Sequence, residues 1–163
     1  MSNAAITELY RHHLWSNLRT IEACAALTGE QLDATMPGTY GSIRSTLLHM
    51  LRGEDGYVAR MVNRPPAPRL EDAPFPGFPA LRAAAERTGN ELIEVAENLD
   101  AGTILRGTWE GEPYEHPIML FIIQALDHGT EHRTHIGSLM GAQGIEPPEN
   151  DGWAYDWYVL QGN

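Results

Sequence analysis

The chain has no lysine: its 11 basic residues are all arginine, against 22 aspartates and glutamates, for a formal net charge of −11. So acidic a surface repels a phosphate backbone, because nucleic-acid affinity rests on neutralising phosphates with cations. DNA and RNA are discounted as partners on that ground, and anionic membranes on a similar one. Cysteine is nearly absent too. Cys24 stands alone, so there can be no intramolecular disulfide and no C-x-x-C metal or redox pair. Long apolar runs are missing: the longest, 117-PIMLFII-123, falls far short of the roughly 20 residues that span a bilayer. The N-terminus lacks the charged-then-apolar pattern of a secretory signal. Together these absences predict a cytoplasmic, reducing location and no membrane partner.

What remains is an ordinary globular composition, with 42% hydrophobic and 20% charged residues over 163 positions. That length predicts one domain, able to bury a core without staples. Residues 3–28 contain neither proline nor glycine. Leu9, Leu14, Leu18, Ile21 and Leu27 recur there at helical spacing, so an amphipathic helix is predicted, with Gly29 as its C′ residue and 30–41 as a loop with turn chemistry at Pro37-Gly38. Ser42 is an N-cap candidate for a second helix to about Asn63, stopped by Arg64-Pro65-Pro66. The stretch 64-RPPAPRLEDAPFPGFP-79 reads as a long surface connection pinned by Phe75 and Phe78. A third helix is predicted over 80–99, with Leu81, Leu92, Val95 and Leu99 facing in. Then 102-GTILRGTWEGEPYEHP-117 reads as a short hairpin or irregular crossover, turning at Glu110-Gly111-Glu112-Pro113. A fourth helix runs from about Pro117, a good first-turn residue, to about Ala142. A short aromatic helix over 153–161 is expected to close one end of the core. The fold class predicted is all-α: a four-helix bundle with a Pro-rich connection, a short crossover and a short C-terminal helix.

Chemistry concentrates in 125-ALDHGTEHRTHIGSLM-140, which holds three of the seven histidines. At about 100° per residue, His128 and His132 lie about 40° apart on one helix face and His135 about 20° to the other side of His128. Phe121 and Leu139 project among them, which places the stripe towards the interior. Imidazoles at i and i+4 can grip one metal ion, but a catalytic zinc usually takes three protein ligands. The third has four candidate sources: His12, His13, His49 and His116. His12 and His13 are adjacent and point in different directions, and His116 sits in the crossover. His49 lies off the apolar arc of its helix, with Ser45, Gly53 and Gly56 on its face. A helical glycine costs roughly 0.5–1 kcal/mol relative to alanine, so two of them there read either as room kept for a cleft or as a poorly packed, solvent-facing helix surface.

His128-Gly129-Thr130-Glu131-His132 also spells the H-x-x-E-H string of one class of zinc peptidases, with Glu131 as the general base. That reading needs an acidic ligand on a further helix. The acids that follow, Glu146, Glu149, Asp151 and Asp156, sit in the loop or the closing helix, and Glu131 falls on the flank of the stripe.

Three longer motifs carry a resemblance. The first helix shows 10-YRHHLWSNLRTIEACAAL-27, the second 41-GSIRSTLLHMLRGEDGYVARM-61 with L-x-H at His49 and a glutamate five residues on at Glu54, and the fourth 127-DHGTEHR-133 with H-x-x-x-H-R at His128, His132 and Arg133. In this order and spacing the chain resembles the DinB-like (DinB/YfiT) superfamily of metal-dependent four-helix-bundle proteins over most of its length. The resemblance implies a divalent metal ion, zinc or nickel, held by His49, His128 and His132. It implies a small-molecule substrate, a homodimer, and a metal-dependent enzyme: a thiol-dependent S-transferase or isomerase using a low-molecular-weight thiol, or a hydrolase-like relative. The alternative from another class is a non-catalytic metal- or ligand-binding dimeric bundle. Two positions depart from the family pattern. Glu131 stands where a histidine or an aromatic is common, and His135 where glutamine is frequent, leaving His135 as a fourth ligand, a support for the ligands or a core residue. Arg133 is expected to hold helices together, with Glu54 as a partner, and Cys24 to be packed.

Overall fold

The computed structural model describes residues 3–70, 74–109 and 111–162. The protein is mostly helical with one small sheet: α1 (Ala4–Ala25), α2 (Gly29–Asp33), α3 (Ile43–Met61), α4 (Phe78–Glu97), β1 (Ile104–Trp109), β2 (Glu112–Pro117), α5 (Ile118–Ala142) and α6 (Gly152–Tyr155), followed by a π-helical turn at Asp156–Leu160. Among the described residues no helix is long and apolar enough to cross a membrane.

The boundaries follow from local chemistry. Ser42 caps α3 by accepting from the Ser45 N–H, as its position predicts. Thr28 does what the sequence reading missed. Its side chain and that of Gln31 form a reciprocal capping box, so Gly29 opens α2 instead of ending α1, and part of the expected loop is helix. The Thr-x-x-Gln spacing is the signature of such a box. The crossover is an antiparallel hairpin, Ile104 facing Pro117 and Trp109 facing Glu112. Its turn includes Glu110, which lies outside the described residues, and Gly111 at φ +90°, a backbone angle that glycine adopts without a Cβ penalty.

Two apolar clusters fill the interior. One joins Ile21, Cys24, Ile43, Leu47, Leu51, Leu81, Ile136 and Leu139; the other joins Tyr10, Val58, Leu92, Ala96, Ile122 and Ala125. Their membership sets the helix directions. The C-terminal half of α1 meets the N-terminal halves of α3 and α4 and the C-terminal half of α5, so α1 and α5 run one way and α3 and α4 the other. The tightest pairings, α1 with α4 and α3 with α5, are therefore antiparallel. Because α3 ends at one end of the interior and α4 begins at the other, the chain between them must travel the full length of a helix. Twenty helical residues span about 30 Å, and sixteen extended ones reach about 50 Å. The proline-rich stretch has the length to cover that distance, and Phe75 and Phe78 hold its end down, their rings 5.4 Å apart and packed against the first cluster.

A buried polar layer crosses all four long helices between the two clusters. The Glu54 carboxylate on α3 is 1% exposed. It accepts from His13 Nε2 at 2.6 Å, from Asn17 Nδ2 at 2.9 Å and from the Thr88 hydroxyl of α4. From α5, Arg133 donates to Asn17 Oδ1 at 2.6 Å and to His13 Nδ1 at 3.3 Å. Arg133 and Glu54 are thus coupled through His13 and Asn17 and not as the direct pair their types imply. Gly129 makes this possible, since a Cβ there would lie 2.3 Å from His13 Cε1. The layer also explains, through His13 and Asn17, part of a departure from the hydrophobic pattern of α1. Leu9 is exposed, while Thr7, His13, Ser16, Asn17 and Thr20 are buried.

The aromatic tail does not close the core as expected. Trp153 is 85% exposed, with Trp157, Tyr158 and Leu160 also exposed, and only Ala154 and Tyr155 buried. Tyr155 is what docks: its hydroxyl donates to Glu8 Oε1 at 2.6 Å and its ring meets Trp15 and His12 of α1.

Replacing one partner of a buried charge network leaves the others desolvated and unpaired, at a cost of about 3–5 kcal/mol. Glu54→Ala is expected to lose that much in urea denaturation. Arg106→Ala, which breaks a pair with Glu115 exposed by 65% and 63% on the two side chains, is expected to stay within about 1 kcal/mol.

Candidate metal centre

Three of the histidines singled out in the sequence converge. His49 from α3 and His128 and His132 from α5 each present a ring nitrogen, all within 4.8 Å of one another. Ring centroids lie 5.1 Å apart for His49 and His128, 4.8 Å for His49 and His132, and 4.4 Å for His128 and His132. His128 and His132 are buried and His49 is half-buried. The α3–α5 packing makes the cluster. The i,i+4 spacing brings the two α5 rings to one face, and the antiparallel partner helix delivers the third.

Gly53 has a definite task here. A Cβ at that position would sit 2.4 Å from His128 Cε1 and 2.7 Å from Nε2. The glycine on the His49 face of α3 therefore keeps room for the ring that arrives from α5. No comparable crowding surrounds Gly56, where the nearest neighbour is Arg60 Nη1 at 3.3 Å.

The two α5 histidines are held neutral. Burial pushes the His128 pKa down to about 4, assisted by the neighbouring His132 and His49. His132 is likewise lowered to about 4, by burial first and then by His49, with Glu131 acting the other way. Neutral imidazole is the form that ligates metals. His132 Nδ1 is buried with no hydrogen-bond partner among the described residues. An apolar packing role would leave a cost of about 1–3 kcal/mol unmet there. The donor set fits a divalent ion of the zinc or nickel kind, which accepts imidazole nitrogen readily.

The other histidines are elsewhere. His12 contacts the Asn150 carbonyl at 3.0 Å, His13 belongs to the Glu54 layer, and His116 stacks on Tyr114. His135 lies outside the three-histidine group. Its ring is 5.5 Å from that of His132 and its Nδ1 is buried without a hydrogen-bond partner among the described residues, so it stands beside the cluster. Glu131 is exposed, and among the described residues no carboxylate joins the histidines, as an H-x-x-E-H peptidase would need. Cys24 is buried, and burial raises its thiol pKa to about 12, which removes it as a nucleophile.

Two aromatic neighbours escaped the sequence reading. Tyr40 stacks on His49 at 3.9 Å and 17° and meets His132 edge-on at 5.4 Å. Tyr57 meets His128 edge-on at 5.6 Å. Tyr40 sits in a loop, where periodicity carries no signal. Tyr57 lies on α3 eight positions after His49, so helical geometry places the two on nearby faces.

The Glu54 layer lies at the level of the cluster and reaches it electrostatically, since both Glu54 and His13 act on His128. Burial alone would raise the Glu54 pKa. The hydrogen bonds from His13 and Thr88 and the charge of Arg133 outweigh it and hold the carboxyl below its ordinary range. Arg133 itself is lowered to about 10 by burial and stays charged at neutral pH.

A helical protein with a buried three-histidine cluster between two long helices is the class that fold and site define. The chain matches the DinB family model over residues 1–161 and belongs to the DinB family. No curated protein matches it.

The lowered histidine pKa values set the pH response of chelator-treated protein. Between pH 6.5 and about 4 the unfolded chain takes up protons on these histidines that the folded chain does not. Stability is therefore expected to fall as pH drops through that window. Glu54, with its lowered folded pKa, adds a further loss only below about 4.3. Thermal melts from pH 7 to 4.5 check this: the double variant His128→Gln, His132→Gln should show a flatter slope above pH 5 than the native chain.

Proposed function

We propose that the protein is a metal-dependent enzyme of four-helix-bundle architecture, with His49, His128 and His132 as the metal ligands. The observation that carries the reading is the convergence of three imidazoles from two helices within ligating reach of one another, two of them, His128 and His132, held neutral by burial. Three protein ligands with a position left over is the arrangement of catalytic zinc sites rather than closed structural ones. A divalent ion held there supplies Lewis acidity, which lowers the pKa of a bound water or thiol towards neutrality.

The chain's own residues divide the remaining work. Gly53 admits the His128 ring, and Tyr40 covers one side of His49 and His132. The Glu54 layer ties all four helices at the height of the cluster and so holds α3 and α5 in register. Because Cys24 is buried with its thiol pKa raised, a sulfur nucleophile must come from outside the chain. That supports a small-molecule thiol as co-substrate and a thiol-dependent transferase or isomerase reaction, with water in its place in a hydrolase-like relative.

Zinc titration of untagged protein, read by calorimetry and elemental analysis, tests the reading. The native chain should bind one equivalent. His132→Ala should abolish binding, and Gly53→Ala should weaken it by about 10–100-fold, as displacement of a ligand's support does. Glu131→Gln should leave it essentially unchanged. A native chain that takes up no zinc, nickel, iron or manganese sinks the proposal. With zinc bound, low-molecular-weight thiols should raise the melting temperature by mass action, and should not do so in His132→Ala.

A further inference from the structure

A cavity of about 340 Å³ opens beside His49 and His128, within the range that holds small ligands. Its walls are α3, the proline-rich connection and, from the hairpin, Trp109. Its charge is the reverse of the molecule's. Among the described residues four arginines line it, Arg52, Arg60, Arg69 and Arg87, against the single acid Asp55, in a chain of net charge −11. Asp55 is consumed: it accepts from Arg64 and Arg87 at 2.8 Å each and from the Ala67 N–H at 2.6 Å. Arg87 is thereby neutralised, and Arg52 has contacts of its own.

Arg60 and Arg69 differ. Neither pairs with a carboxylate among the described residues. The Arg60 guanidinium is fixed from two sides: it donates to the Gly56 carbonyl of its own helix, and it stacks over Trp109 with Cζ 3.8 Å from the ring centroid. A guanidinium held over an indole ring keeps its remaining N–H groups for a planar anion. The hairpin, which contributes nothing to the histidine cluster, thus positions a cation in the cavity beside it.

We propose that this cavity binds a small carboxylate-bearing molecule, with its anionic end on Arg60 and Arg69 and its other end towards His49 and His128. The orientation rests on the metal-site reading; the anion selectivity does not. An acidic surface repels such a ligand everywhere else, and a cleft of opposite sign concentrates it. The substrate class that follows is a short carboxylic acid or carboxylated thiol, and neutral isosteres are disfavoured.

The test uses the full chain, 15N-labelled, with succinate as probe and succinamide as its neutral counterpart. The four tryptophans give four indole signals, and Trp109→Phe assigns the one on Arg60. In metal-free protein, succinate should shift the Trp109 signal saturably, with succinamide at least about tenfold weaker, the scale of a charge-assisted hydrogen bond. Arg60→Gln and Arg69→Gln should each weaken succinate, and the double variant should erase the preference while the other indole signals stay in place. Arg106→Gln, on the exposed hairpin face, should change nothing. Equal affinity for the two probes, or a preference that survives the double substitution, overturns the proposal. Zinc, followed separately through the imidazole signals, isolates the other reading: succinate binding without zinc uptake sinks the metal site and leaves the anion site standing. In zinc-loaded protein, mercaptosuccinate should bind more tightly than succinate and lose the same tenfold on the arginine substitutions; a thiol gain indifferent to the arginines overturns the orientation.

Discussion

The carboxylate of Glu54 is the constraint on which the rest of the molecule depends. A buried charge is tolerated only when its hydrogen-bonding capacity is met, and Glu54 meets it with groups from α1 and α4, while Arg133 of α5 closes the set through His13 and Asn17. One side chain therefore dictates the relative rotation and height of four helices. Leucine-rich packing on either side contributes most of the burial, but apolar layers can slide; a layer of directed hydrogen bonds cannot slide without exposing an unpaired charge.

That layer and the histidine cluster share one level, and the arrangement has a chemical logic. The cluster needs neutral imidazoles in a partly desolvated place, and such places are costly for polar groups unless neighbours are fixed. Gly53 and Gly129 are two points where backbone replaces side chain to let a histidine ring in, His128 in one case and His13 in the other. They stand on the two helices that carry the cluster. The polar layer and the cluster are in this sense one polar cross-section of an otherwise apolar interior, with a closed half around Glu54 and an open half beside the arginine-lined cavity.

Much of this was legible from residue order. Four long helical segments announced themselves through spacing and punctuation, and the i,i+4 pair at His128 and His132 pointed inward because Phe121 and Leu139 flanked it. His49 was different: its helix wheel left it between a cleft and a solvent face, and only the resemblance of L-x-H and H-x-x-x-H-R to a family pattern tied it to the pair. The misreadings have separate causes. Leu9 was placed inside and His13 and Asn17 were not, because hydrophobic periodicity cannot see a buried polar layer. The tail was expected to cap the core because it is aromatic, yet of its aromatic rings only that of Tyr155 is buried. Glu131 drew attention by its neighbours in sequence, but at about 100° per residue an adjacent residue faces elsewhere.

The path of the proline-rich connection has a consequence for how the molecule comes into being. It sends the chain back along the full length of the helices before α4 begins, so the partners in each antiparallel pair are remote in sequence: α1 waits for α4, and α3 waits for α5. Joining remote segments is entropically slow compared with winding single helices. The two imidazoles of α5 come together as soon as that helix winds, but the third joins them only when α3 and α5 have docked across the intervening α4 and hairpin. The complete cluster is therefore non-local, a product of tertiary docking that neither helix can carry alone.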